Sequence, residues 1–71
     1  MTVIRARMPG RILCVCIKEG EPFAPRQTLA VLEAMKMEQP VFSREGGRIK
    51  EIFVREGEFV KTGQALMTSE D

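Results

Sequence analysis

Two sets of residues in this chain have types and spacing that invite chemistry: Lys36, held between Met35 and Met37, and the thiol pair Cys14 and Cys16. A lysine amine is a nucleophile that acylation converts to a stable amide, and its unbranched stem gives whatever it carries a long reach. Two cysteines two apart in a strand point the same way but lie near the outer limit of disulfide geometry. Two ligands do not close a zinc site. The expectation for them is a reduced pair in a strand. The sequence has 0 His, 0 Tyr and 0 Trp, which removes His metal ligands, His general bases and Ser-His or Cys-His nucleophile pairs. No catalytic or metal-ligating residue is expected.

The 71 residues carry 11 Lys+Arg against 10 Asp+Glu, a net charge of +1, and 44% are apolar. This composition describes one folded domain, 1–71, too small to build a catalytic cleft with walls of its own. A balance so close to neutral, with only 4 Phe to stack on bases, argues against a nucleic-acid partner. The longest apolar run, Ile12-Leu13-Cys14-Val15-Cys16-Ile17, falls far short of the ~18 residues of a membrane span. Met1-Thr2-Val3-Ile4-Arg5 does not form a signal peptide. The reading is a soluble, intracellular protein without a membrane partner.

The elements that must position Lys36 come from an internal repeat. Sliding the sequence by 37 places sets 6–33 on 43–70 and yields ten identities in 28 positions, where average residue usage gives about two. Gly10-Arg11-Ile12 meets Gly47-Arg48-Ile49, and Glu19-Gly20-Glu21 meets Glu56-Gly57-Glu58. Arg7, Gln27, Leu29 and Glu33 meet Arg44, Gln64, Leu66 and Glu70. The chain is two copies of one unit.

Each unit is a series of short strands cut by glycine turns. Arg11–Lys18 and Arg48–Arg55 are rich in β-branched and apolar residues. Phe23-Ala24 and Phe59-Val60 follow, then Leu29–Ala34 and Ala65–Ser69, with further strands near Val3–Ala6 and Val41–Ser43. About eight strands so closely spaced leave no room for helical crossovers. They predict an all-β fold, a flattened antiparallel barrel or sandwich of two four-stranded sheets with an internal pseudo-twofold. One segment resists. Thr28–Glu38 is full of helix formers, with Leu29, Leu32 and Met35 at helical spacing. Its repeat mate has much weaker helical character, so the segment is expected to be strand. A bulge near Lys50 and Glu51 should reset the alternation, turning Val15, Ile17, Ile52 and Val54 inward and leaving Cys14 accessible.

The copies diverge after Glu33, where only the first continues through Ala34-Met35-Lys36-Met37-Glu38. A tight turn there would hold Lys36 out in solvent at the end of the domain opposite the two termini. The two methionines, two apart, should lean to one side and pack under the turn. An exposed lysine is ordinarily a solvated charge, and methionines are ordinarily core filler. Spacing alone therefore leads to a symmetric β-domain with a lysine on a hairpin tip.

Glu33-Ala34-Met35-Lys36-Met37-Glu38 resembles the attachment motif of biotinyl domains, the biotin carboxyl carrier modules of biotin-dependent carboxylases. The resemblance runs along almost the whole chain, through Met8-Pro9-Gly10, Lys18-Glu19-Gly20-Glu21, Glu56-Gly57-Glu58 and Gly63-Gln64. It implies the same two-sheet fold, covalent biotin on Lys36, and Ala34, Met35 and Met37 as the motif around the attachment site. It also implies three partners: a biotin protein ligase, a biotin carboxylase and a carboxyltransferase. The domain would be a non-catalytic carrier, in the cytoplasm or in an organelle matrix. Arg7, Arg26, Gln39-Pro40 and Ser43-Arg44 depart from the family pattern. Pro40 donates no ladder hydrogen bond and belongs at an edge or bulge. Two rivals stay open, a lipoyl domain with the same lysine position and an unmodified interaction module.

Overall fold

The computed structural model describes residues 1–70, folded as eight strands. They are β1 (Thr2–Arg5), β2 (Gly10–Val15), β3 (Pro22–Phe23), β4 (Ala30–Ala34), β5 (Met37–Val41), β6 (Gly47–Ile52), β7 (Phe59–Val60) and β8 (Ala65–Glu70). Two antiparallel four-stranded sheets, ordered β1-β8-β6-β3 and β5-β4-β2-β7, face each other across one core. Each half lends its two-residue strand to the other half's sheet. The halves therefore interlock and neither can close its core alone.

The 37-residue repeat is written into every pairing. Arg11↔Glu33, Ile12↔Leu32, Cys14↔Val31 and Val15↔Ala30 become Arg48↔Glu70, Ile49↔Ser69, Glu51↔Thr68 and Ile52↔Met67. Leu32↔Gln39 becomes Ser69↔Thr2. Both long strands bulge at the same place, between Ile12 and Cys14 and between Ile49 and Glu51. The expected reset of alternation is thus present in both copies. Ile17 and Val54 are buried, and Val15 and Ile52 pack half-buried against the core. Cys14 is half-buried and Cys16 exposed, both free thiols.

The shared residues hold the shared turns. Glu21 and Glu58 each accept a backbone N–H three residues back, from Lys18 (2.8 Å) and Arg55 (3.3 Å). Gln27 and Gln64 do the same for Ala24 and Lys61, both at 3.0 Å. Arg11 and Arg48 donate across the seam to the carbonyls of Gly57 and Gly20. Between the sheets Ile12, Leu29, Ile49, Val60, Leu66 and Met67 are fully buried.

Tertiary pairing overrides helix propensity in 28–38, which holds no helix: 30–34 and 37–38 are strand and 35–36 the turn between them. Boundaries shift where hydrogen bonding outweighs composition. β2 and β6 stop at Val15 and Ile52, short of the expected Lys18 and Arg55. β5 occupies Met37–Val41 and not Val41–Ser43. A two-residue loop lets pairing resume at once, with Met37 opposite Ala34.

Candidate functional site

The β4–β5 hairpin closes through Met35 and Lys36, with φ of 52° and 64°. Positive φ at both central residues is the signature of a type I′ turn, whose twist matches the right-handed twist of the flanking strands. Such turns favour Asn-Gly, and here two long side chains take the strained positions. An L-residue in this region costs about 1–2 kcal/mol. Five residue pairs from Ala30↔Val41 to Ala34↔Met37 hold the turn in place.

Lys36 is exposed at the tip and has no hydrogen-bond or ion-pair partner among the described residues. Beneath it Ala34, 4% exposed, closes the core. The expected packing of the methionines under the turn does not occur: Met35 is 89% and Met37 62% exposed. Period-two alternation fails across a left-handed turn, so Met35 shares no strand face with Met37. Met37 has the inward register of its partner Ala34 but lies past the end of the core. Met35, Lys36 and Met37 thus form one exposed patch, and Ala34 is its buried footing.

On the outer face Glu33 and Glu38 stand opposite each other, with Arg11 opposite Glu33 on its other side. Pro40 lies in β5, an edge strand of its sheet, where its missing N–H costs little. The thiols lie elsewhere on β2 and beyond its end, with Sγ atoms 3.3 Å apart. Partial desolvation of its sulfur, a hydrogen bond shared with Cys14 and the Cys14 charge push the Cys16 thiol above its ordinary pKa. Among the described residues no set of three metal-ligating side chains converges, and no helix is long and apolar enough to cross a membrane.

A rigid tip with a solvent-facing amine and no competing partner fits a covalently attached prosthetic group. Residues 2–68 match the biotin/lipoyl family of biotin-requiring enzymes. The chain belongs to that family. A biotin/lipoyl attachment protein of Bacillus subtilis is 36% identical over 64 residues, spanning 90% of this chain and 88% of that protein. A biotin carboxyl carrier protein of Streptococcus mutans is 40% identical over 63 residues, 89% of this chain and 48% of that one. The solved structure of a single-chain, multi-domain long-chain acyl-CoA carboxylase superposes with a TM-score of 0.87 at 32% identity. That match covers 93% of this chain and 6% of that one. This biotinyl domain is accordingly a non-catalytic carrier of the kind built into biotin-dependent carboxylases. Its length is about half that of the Streptococcus carrier and a small fraction of the multi-domain enzyme.

Proposed function

We propose that Lys36 is the biotin attachment site and that residues 1–71 act as one carrier domain serving a biotin carboxylase and a carboxyltransferase. The observation that carries this reading is the unpartnered Lys36 amine at the tip of a tight hairpin, framed by exposed Met35 and Met37. A biotin protein ligase would join the activated biotin acyl carbon to Nζ. The amide forms as the activating group leaves, and Nζ gives up its extra protons. Bound biotin supplies a ring nitrogen able to carry a carboxyl group between two active sites.

The chain's own residues supply presentation. The turn fixes the direction in which the arm leaves the domain, and Ala34 anchors the turn to the core. The lysine stem plus the biotin side chain spans ~14 Å in extended zigzag, about ten bonds. Tethering holds the ring at high effective concentration near both active sites. Met35 and Met37 are placed for contact by a docking ligase. The domain would work in the cytoplasm, or in an organelle matrix as part of a larger enzyme.

Intact mass after co-expression with a biotin ligase, or separately with a lipoate ligase, tests this. One biotin adduct is expected, with the net charge falling from +1 towards 0. Lys36→Arg keeps a cation but cannot form the amide, and should abolish avidin capture. Persistent avidin binding by that variant, or a lipoyl adduct in place of biotin, overturns the assignment.

A further inference from the structure

The two halves are not equivalent at the seam between the edge strands β1 and β5. A cleft of about 250 Å³ opens there, lined by apolar Met8, Leu32, Pro40, Val41 and Phe42, with Arg5, Arg7 and Gln39 at polar positions. A second cleft of about 280 Å³ adjoins it and shares Arg5, Arg7 and Phe42. The 37-residue repeat relates the two: the mate of every residue lining the first cleft lines the second. The fold therefore makes this hollow twice, and the sequence has furnished the copies differently. Met8, Leu32 and Gln39 in the first stand where the second has Glu45, Ser69 and Thr2. One hollow has an apolar floor and the other a polar one.

The apolar copy is the one on the Lys36 hairpin. Gln39 lies three residues from Lys36 along extended β5, about 10 Å at the usual strand rise. An arm of ~14 Å, about ten bonds in zigzag, can fold back that far. The polar groups at the rim are held in place. Arg5 donates from Nη1 to the Gly63 carbonyl at 2.9 Å, and the Arg7 guanidinium lies 5.9 Å from the centre of the Phe42 ring. A half-buried Gln39 amide offers both a donor and an acceptor.

We propose that this cleft is a docking site for the ring at the end of the Lys36 arm, a fused cyclic urea. Its hydrocarbon portion packs on Met8, Leu32 and Val41, and its N–H and C=O groups meet Gln39 and the arginine donors. The arm of the free domain is then parked along β5 rather than swinging in solvent, and an enzyme that uses it must draw it out. The polar twin, which has no carrier lysine at its end of the domain, is the internal control.

This inference rests on biotin being attached at Lys36, and the test separates the two. Intact mass of each sample comes first, because absence of the adduct overturns the attachment and the docking together. Amide and methyl NMR spectra of the loaded and unloaded domain are then compared. Loading should shift the signals of Met8, Gln39, Val41 and Phe42 and leave Thr2, Ile4 and Glu45 in place. Arg7→Ala and Gln39→Ala, separately, should shrink those shifts and raise the avidin on-rate several-fold. Arg44→Ala, at the repeat mate of Arg7, should do neither. A full adduct whose shifts stay confined to residues 34–37 overturns the docking site and leaves the attachment standing. Equal effects of Arg7→Ala and Arg44→Ala overturn it as well.

Discussion

Arg26 and Gly63 occupy the same turn position in the two halves, with φ of 65° and 85°. Each donates its backbone N–H at 2.8 Å across the seam, Arg26 to the Ser43 carbonyl and Gly63 to that of Ala6. The turn requires the left-handed region, and only one half meets it with glycine.

Arg26→Gly should therefore stabilise the domain. Relief of the left-handed arginine is worth about 1–2 kcal/mol, and the added freedom of glycine in the unfolded chain returns about 0.4–1 kcal/mol. The net expectation is a gain of ~0.5 kcal/mol, or roughly 3 °C in Tm for a domain of this size. The reverse change, Gly63→Arg, should cost stability. Thermal melts of both variants check the pair, and a lower Tm for Arg26→Gly would contradict it.

Gly10 and Gly47 are constrained by close approach, not by φ. A Cβ on Gly10 would strike the Glu33 carbonyl oxygen, and one on Gly47 would come within 2.6 Å of that of Glu70. Backbone oxygens bound into a sheet cannot swing aside as a side-chain end can. Gly10→Ala and Gly47→Ala are each expected to cost on the order of 2 kcal/mol, as overpacking does. Urea denaturation measures it, and near-neutral values would show that the strands part at little cost.

These pairs show why so much of the fold was legible. The repeated positions Gly10 and Gly47, Arg11 and Arg48, Glu21 and Glu58, and Gln27 and Gln64 each hold one hydrogen bond or one close contact, twice over, so identity between the halves reports shared geometry. The Met35-Lys36 turn was legible as a place but not as a shape. Neither residue favours positive φ, and the strand pairing imposes it. For that reason Met35 and Met37 lie exposed and not packed under the turn. The seam cleft was hidden because its residues are far apart in sequence. Arg7, Gln39 and Pro40, three of the departures from family pattern, share that cleft, whereas Arg26, Ser43 and Arg44 do not line it.

The thiol pair gives a pH dependence. The exposed Cys16 thiol is raised by partial desolvation of its sulfur first, then by its hydrogen bond with Cys14 and by the Cys14 charge. A thiol that holds its proton more tightly when folded stabilises the fold below its unfolded pKa. That contribution is lost as pH rises through the folded value. Stability should thus decline at alkaline pH, and less so in Cys14→Ala, where two of the three causes are gone. The same variant should increase the rate at which Cys16 reacts with an alkylating reagent at pH 8–9, since only the thiolate attacks. Rates followed by mass spectrometry decide, and a slower Cys16 in Cys14→Ala would refute the coupling.

Met35 and Met37 separate stability from recognition more cleanly than any other residues here. Both are largely exposed, at 89% and 62%, so neither fills the core. Replacing either by Leu keeps the volume and should change stability by less than about 0.5 kcal/mol, as exposed substitutions do. Met35→Gly goes further, because glycine takes φ of 52° without strain and should raise Tm. If a ligase touches the thioethers, biotin incorporation falls in all three variants while the fold holds or improves. Incorporation that follows Tm upward in Met35→Gly would mean that the shape of the turn alone is read. The expected outcome is the first, with Met35 the more sensitive. It stands beside Lys36 on the turn itself, whereas Met37 is already within the paired strand opposite Ala34.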